Sequence, residues 1–243
     1  MHGGRRNQGP AGIPGVTPMV QKLMIANGAV FILQMLMPAL TLYCAISPAA
    51  FFQGMIWQPF TYMWLHGGMF HLFMNMFVLW MFGGTLESLW GSKRFLRFYL
   101  ICGVGAGFVI LLWNIVTQMF YIPTLGASGA IYGLLMAFSL TWPDRTIMLL
   151  FPPMPVKAIW FIPLLFVLTI AMGGGQNISH AGHLGGVLVA LVIMRREVRG
   201  YFNFSSVRFK WHRWRMRRRL RAVRREDQGR RRRNDDQQPP TIH

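Results

Sequence analysis

Phe98–Pro143 reads FYLICGVGAGFVILLWNIVTQMFYIPTLGASGAIYGLLMAFSLTWP, without one Asp, Glu, Lys or Arg. A soluble domain places charges every few residues on its exposed faces. Uncharged runs longer than the ~18 to 20 residues that cross a bilayer mark membrane-embedded chain instead. Two more such runs flank this one, between Lys22 and Glu87 and between Lys157 and Arg195. Of the 243 residues, 53% are hydrophobic, and the formal charge of +18 comes mainly from the C-terminal tail. The fold class expected is an all-α integral membrane bundle.

Working outward, the helical stretches number six. Leu23–Tyr43 forms the first, with a kink expected at Pro38. The others are Met69–Leu89, Phe95–Thr117, Ser128–Leu140, Ala158–Met172 (interrupted by Pro163) and Ser179–Met194. Residues 23–194 thus make one six-helix membrane domain. Residues 1–22, Gly/Pro-rich and polar, read as a flexible segment without the apolar core of a cleavable signal, so the first helix is expected to be its own insertion signal. Between the first two spans, Ile46–Trp64 is apolar and aromatic but broken by Pro48, Gly54 and Pro59, which suits a membrane interface. Pro152-Pro153-Met154-Pro155 predicts an irregular connection before the fifth span. Cys44 and Cys102 read as small buried hydrophobes.

Charge sets the orientation. Arg5, Arg6 and Lys22, then Lys93, Arg94 and Arg97, then Arg145 and Lys157, and finally the tail all fall on one side; the other three connections carry none. The positive-inside rule predicts both termini in the cytoplasm, with the protein multi-pass in an inner or plasma membrane. Residues 195–243 form a separate basic tail. Phe204, Val207, Trp211 and Trp214 recur among its Arg and Lys at the spacing of a helix lying on acidic headgroups, and a disordered end follows. Lipid is the partner expected for it, and nucleic acid the weaker reading.

Polar groups inside such helices are costly and need an account. His71 and Asn75, four apart, share a face of the second span, with His66 just upstream. Ser128, inside Gly126-Ala127-Ser128-Gly129, begins the fourth span and Tyr132 follows one turn on. His180 and His183 begin the sixth. On the fourth helix Gly129, Gly133 and Ala137 repeat every four residues; on the sixth, Gly182, Gly186 and Ala190 do the same. Small faces of this kind let two backbones approach closely in lipid, which brings the two helix starts together. Ordinary helix packing explains each pattern singly. Jointly, at one membrane depth, they point to a serine activated by a histidine base. Either His180 or His183 can serve, and His183 is favoured because it shares the face of Gly186 and Ala190. No carboxylate lies at this level, so the expectation is a dyad whose imidazole is held by something neutral, with Tyr132 the stacking candidate. The Ser128 N–H, His71 and Asn75 are the candidate oxyanion donors.

This constellation resembles the rhomboid family of intramembrane serine proteases. The resemblance rests on His71-Leu72-Phe73-Met74-Asn75, Gly126-Ala127-Ser128-Gly129 and His183-Leu184-Gly185-Gly186, with Gly83-Gly84-Thr85-Leu86-Glu87 through Gly91-Ser92 between them. It covers roughly residues 20–195. It implies a six-helix fold with a water-accessible cavity, Ser128 as nucleophile, His183 as general base, Tyr132 stacked on the histidine, and His71 and Asn75 on the oxyanion side. It also implies substrates that are single-pass membrane proteins, cleaved near the outer surface, and no cofactor or metal. Trp57-Gln58 departs from the Trp-Arg that many members carry in the first connection. A metalloprotease is disfavoured because no His-Glu-x-x-His occurs, and a transporter because no intramembrane carboxylate is present for coupling. A non-cleaving relative that only binds membrane clients is the rival, and loss of Ser128 or His183 would be its mark.

Overall fold

The computed structural model describes residues 16–149, 153–171 and 180–195. The chain divides into a unit ending at Arg195 and a second, Arg196–His243; the tail expectations fall on that second unit, outside the described residues. Within the first unit the architecture is mostly helical. Helix α1 spans Pro18–Leu36 and α2 Ala39–Cys44. Short helices α3 (Pro48–Phe52) and α4 (Gln58–Thr61) follow. A continuous rod, Met69–Trp90, comprises α5 (Met69–Val78), one π-helical turn (Leu79–Gly83) and α6 (Gly84–Trp90). Then come α7 (Ser92–Val116), α8 (Ser128–Thr141), strands β1 (Thr146–Met148) and β2 (Pro155–Lys157), α9 (Ala158–Ala171) and α10 (His180–Ile193). Among the described residues, α1, the Met69–Trp90 rod and α7 are long and apolar enough to cross a membrane. Helices α8, α9 and α10 are shorter apolar helices.

Three bounds differ from the sequence reading. Helix α1 starts at Pro18, inside the segment expected to be flexible, because Thr17 is an extended N-cap and proline's fixed φ suits the first turn. It ends at Leu36, and Pro38 separates it from α2 rather than kinking one long helix. The connection expected to be irregular before α9 holds an antiparallel pair, Thr146 opposite Lys157 and Met148 opposite Pro155.

The start of α1 is completed by a distant acid. Its early N–H groups have no intrahelical acceptor and carry the positive end of the dipole. The buried Glu87 carboxylate of α6 fills that gap. It accepts from Met19 N (2.9 Å), from Val20 N (2.9 Å) and from the Thr17 hydroxyl, and the Ser92 hydroxyl donates to it from α7. Glu87→Gln removes the charge and leaves donors competing for one oxygen. Bonds to a charged acceptor are worth roughly 1.5–3 kcal/mol each, so thermal unfolding in detergent is expected to fall by several degrees. An unshifted midpoint would make this contact incidental.

Helix α8 sits at the centre, packed on α7, α9 and α10. Glycines make that possible. A Cβ at Gly129 would lie 2.7 Å from Ala106 Cβ and 3.3 Å from the Gly182 carbonyl oxygen. One at Gly133 would lie 2.6 Å from Cys102 Cβ, and one at Gly186 would overlap the Gly129 carbonyl. The start of α8 is therefore held against the start of α10 with backbone touching backbone.

Candidate active site

Ser128 is the first residue of α8, where its own N–H has no intrahelical acceptor. The loop that delivers it is pinned to the connection between α2 and α5. Ile46 and Thr124 exchange backbone hydrogen bonds (2.9 and 2.8 Å), Ala49 N donates to Phe120 O (3.0 Å), and Gly126 N donates to Tyr62 O (3.0 Å). Tyr62 is itself fixed, since its hydroxyl donates to Gly103 O of α7 at 2.7 Å. Gly126 has φ +131°, a conformation that favours glycine. A side chain there would also collide with the His71 ring, 2.8 Å from Cε1 and 3.0 Å from Nε2. The position admits only glycine for two separate reasons.

His183, one turn into α10, places Nε2 3.0 Å from Ser128 Oγ. Its ring stacks on Tyr132, with centroids 4.1 Å apart and planes within 11°. Phe166 of α9 packs against Tyr132 in turn, 5.5 Å between centroids. The other ring nitrogen, Nδ1, is buried without a hydrogen-bond partner among the described residues. His180 is exposed at the start of α10. Of the two histidines that sequence spacing left open, the one in hydrogen-bond contact with the serine is His183. The arrangement has the two parts of an activated nucleophile: a hydroxyl, and an imidazole nitrogen aligned to take its proton.

On α5, His71 lies half-buried beside Gly126, and its Nδ1 accepts from Gly67 N at 3.3 Å. Asn75, one turn on, is buried with its amide nitrogen unpartnered among the described residues. Gly129, Gly133, Gly182 and Gly186 line the α8–α10 contact described above. His66 lies just upstream of His71 and Asn75. It is fully buried, edge-on to His71 at 5.2 Å, with its backbone N–H and C=O both bonded to the Gln34 side chain.

Burial, and then the neighbouring His71, pull the His66 imidazole down to about 4 from an ordinary 6.5. The unfolded chain therefore binds a proton that the folded one refuses between those values. Stability supplied by neutral His66 is complete above pH 6.5 and is lost as pH falls toward 4, by about 3 kcal/mol at most. Comparing thermal midpoints at pH 7.5 and 4.5 should show the drop, and a flatter dependence in His66→Phe. Equal slopes in both proteins would remove His66 from the acid response.

A family model described as Rhomboid domain matches residues 53–199. The mitochondrial presenilin-associated rhomboid-like protein of Homo sapiens is 33% identical over 133 residues, covering 52% of this chain and 34% of that protein. The mitochondrial Rhomboid protein 1 of Saccharomyces cerevisiae is 34% identical over 132 residues, 52% of this chain and 38% of its own length. RHOMBOID-like protein 1 of Arabidopsis thaliana is 33% identical over 155 residues, 61% of this chain and 37% of that one. The match thus spans little more than a third of each relative. On this chain the matched domain takes in more than half of the residues, including His71, Ser128 and His183. With its long apolar helices, that match makes this multi-pass integral membrane protein a member of the rhomboid family.

Proposed function

We propose that the protein is an intramembrane serine endopeptidase cleaving single-pass transmembrane proteins near the outer membrane face. The observation that carries this reading is the 3.0 Å contact between His183 Nε2 and Ser128 Oγ, with the imidazole held flat against Tyr132. His183 takes the hydroxyl proton as Ser128 Oγ attacks the scissile carbonyl carbon. The tetrahedral oxyanion collapses, the C–N bond breaks, and the same imidazole returns the proton to the leaving amine. Water, deprotonated by His183, then hydrolyses the acyl-enzyme. These steps use protein groups and water alone, with no cofactor.

The oxyanion forms beside the start of α8, where the Ser128 N–H is one donor. His71 and Asn75 supply the others in this reading. Its support is the His71 Nε2 edge turned toward Gly126 and the unpartnered, buried Asn75 amide. The three shorter helices join the three long ones as six spans, with both termini on the positively charged cytoplasmic side. The basic tail, residues 195–243, lies along acidic headgroups there.

The test is reconstitution into liposomes with a panel of single-pass model substrates carrying small residues near the outer end of the helix. Two fragments are expected, with the cut at that end. A folded protein that cleaves none of the panel and takes no fluorophosphonate label would overturn the reading in favour of a non-cleaving binder.

A further inference from the structure

Gln34 stands out on α1 as a half-buried amide in an otherwise apolar stretch, Ala29–Leu36. A primary amide at such a place is costly unless its donors and acceptor are all used. Here both ends close on one residue. Gln34 Oε1 accepts from His66 N at 3.0 Å, and Gln34 Nε2 donates to His66 O at 3.0 Å. The same Nε2 also donates to Thr41 Oγ1 at 3.1 Å. Two bonds to one backbone residue fix its orientation as well as its place, as a neighbouring strand would.

The consequence runs through one peptide plane. The His66 carbonyl and the Gly67 N–H belong to the same trans peptide unit and point in opposite directions. Holding the carbonyl toward Gln34 therefore aims the Gly67 N–H away from it, and that N–H donates to His71 Nδ1 at 3.3 Å. A neutral imidazole carries one proton, so a ring whose Nδ1 accepts must carry its proton on Nε2. Nε2 is the edge on the serine side: the point where a Gly126 Cβ would lie is 3.0 Å from His71 Nε2 and 3.8 Å from Ser128 Oγ. A 3.3 Å bond from a solvent-exposed glycine is easily lost if the peptide rotates. The clamp supplies what that bond lacks.

We infer that Gln34 is a positioning residue for the oxyanion site, holding His71 in the tautomer that donates from Nε2 by clamping the His66–Gly67 peptide. The inference rests on the proposed reading of His71 as an oxyanion donor and adds the group that sets its proton.

Three measurements on the full-length protein in liposomes test it. The first uses the unaltered chain with 15N-labelled histidine, the His71 signals being identified by their loss in His71→Ala. An Nε2–H tautomer is expected, and an Nδ1–H tautomer would overturn the inference whatever any variant does. The second is Gln34→Met, which keeps the side chain's length and removes its hydrogen bonds. Here kcat is expected to fall about 10-fold with KM little changed, and the His71 signals should show mixed tautomers. The third is a double-mutant cycle. If Gln34 acts through His71, Gln34→Met costs nothing further once His71 is alanine. Additive losses, or an unchanged kcat in Gln34→Met beside a slow His71→Ala, would overturn the inference and leave the oxyanion reading standing. A His71→Ala protein that turns over at the full rate would overturn the oxyanion reading, and the inference with it.

Discussion

Ser128→Ala and His183→Ala are each expected to abolish fluorophosphonate labelling and to lower peptide hydrolysis by about 10⁴-fold or more. The reasons differ. Without Oγ there is no nucleophile and no acyl-enzyme. Without the imidazole the hydroxyl is present but keeps its proton, and a neutral alcohol is a poor attacker at pH 7. In the proposed dyad the two groups act as one unit, so the double variant should be no slower than either single variant. Folding should part them. Ser128→Ala removes one oxygen from a half-buried helix start, whereas His183→Ala also strips the face of Tyr132, 4.1 Å away, of its stacking partner. A lower thermal midpoint is expected for His183→Ala than for Ser128→Ala. Residual turnover within tenfold of the parent in either variant would sink the dyad.

Gly186→Ala is the second large effect, and it carries no change in chemistry. The added methyl would fall on the Gly129 carbonyl oxygen and 3.2 Å from Gly133 N. Those are backbone atoms of a helix, so no side-chain rotation relieves the overlap and the two helices must separate. His183 lies one turn before Gly186 on the same face, so separation lengthens the 3.0 Å contact to Ser128. A displacement near 1 Å in a reacting pair costs about 100-fold in rate, and overpacking adds a stability loss of roughly 1–3 kcal/mol. Gly28→Ala is the control: a Cβ there meets nothing within 4 Å, and the substitution removes backbone freedom from α1. Gly28→Ala should melt slightly higher at unchanged activity. A Gly186→Ala protein as active and stable as the parent would mean that α8 and α10 do not meet backbone to backbone.

The α8–α10 contact was legible because three small residues recur at intervals of four on each helix, a pattern with few other uses in lipid. The part played by α7 was not. Its segment Gly103-Val104-Gly105-Ala106-Gly107 offers small residues on every side, and no charge marks an outward face. Only coordinates show that Cys102 and Ala106 close on Gly133 and Gly129. Glu87 stands in the sequence as the first charge after an uncharged run. Nothing local in the sequence announces a carboxylate that serves a helix start 67 residues upstream, at Val20. Helix α1 begins at Pro18, five residues before the expected Leu23 and inside the segment expected to be flexible. The Gln34 clamp was invisible for a different reason: it is made to backbone groups, which every residue possesses. The departure at Gln58 proved structurally ordinary, since it is buried, accepts from Ser47 N at 3.2 Å and donates toward Tyr43 O at 3.4 Å.

The distance between Glu87 and the helix it completes bears on how the protein is made. At synthesis rates of roughly 5–20 residues per second, Glu87 leaves the ribosome about 3–14 s after Met19, 68 residues before it. During that interval the leading amide groups of the first helix lack the acceptor that completes them in the folded protein. Arrival of the acid ties the start of the first helix to α6 and, through Ser92, to α7. Ser128, 41 residues beyond Glu87 in the chain, is synthesised after that link has all of its parts.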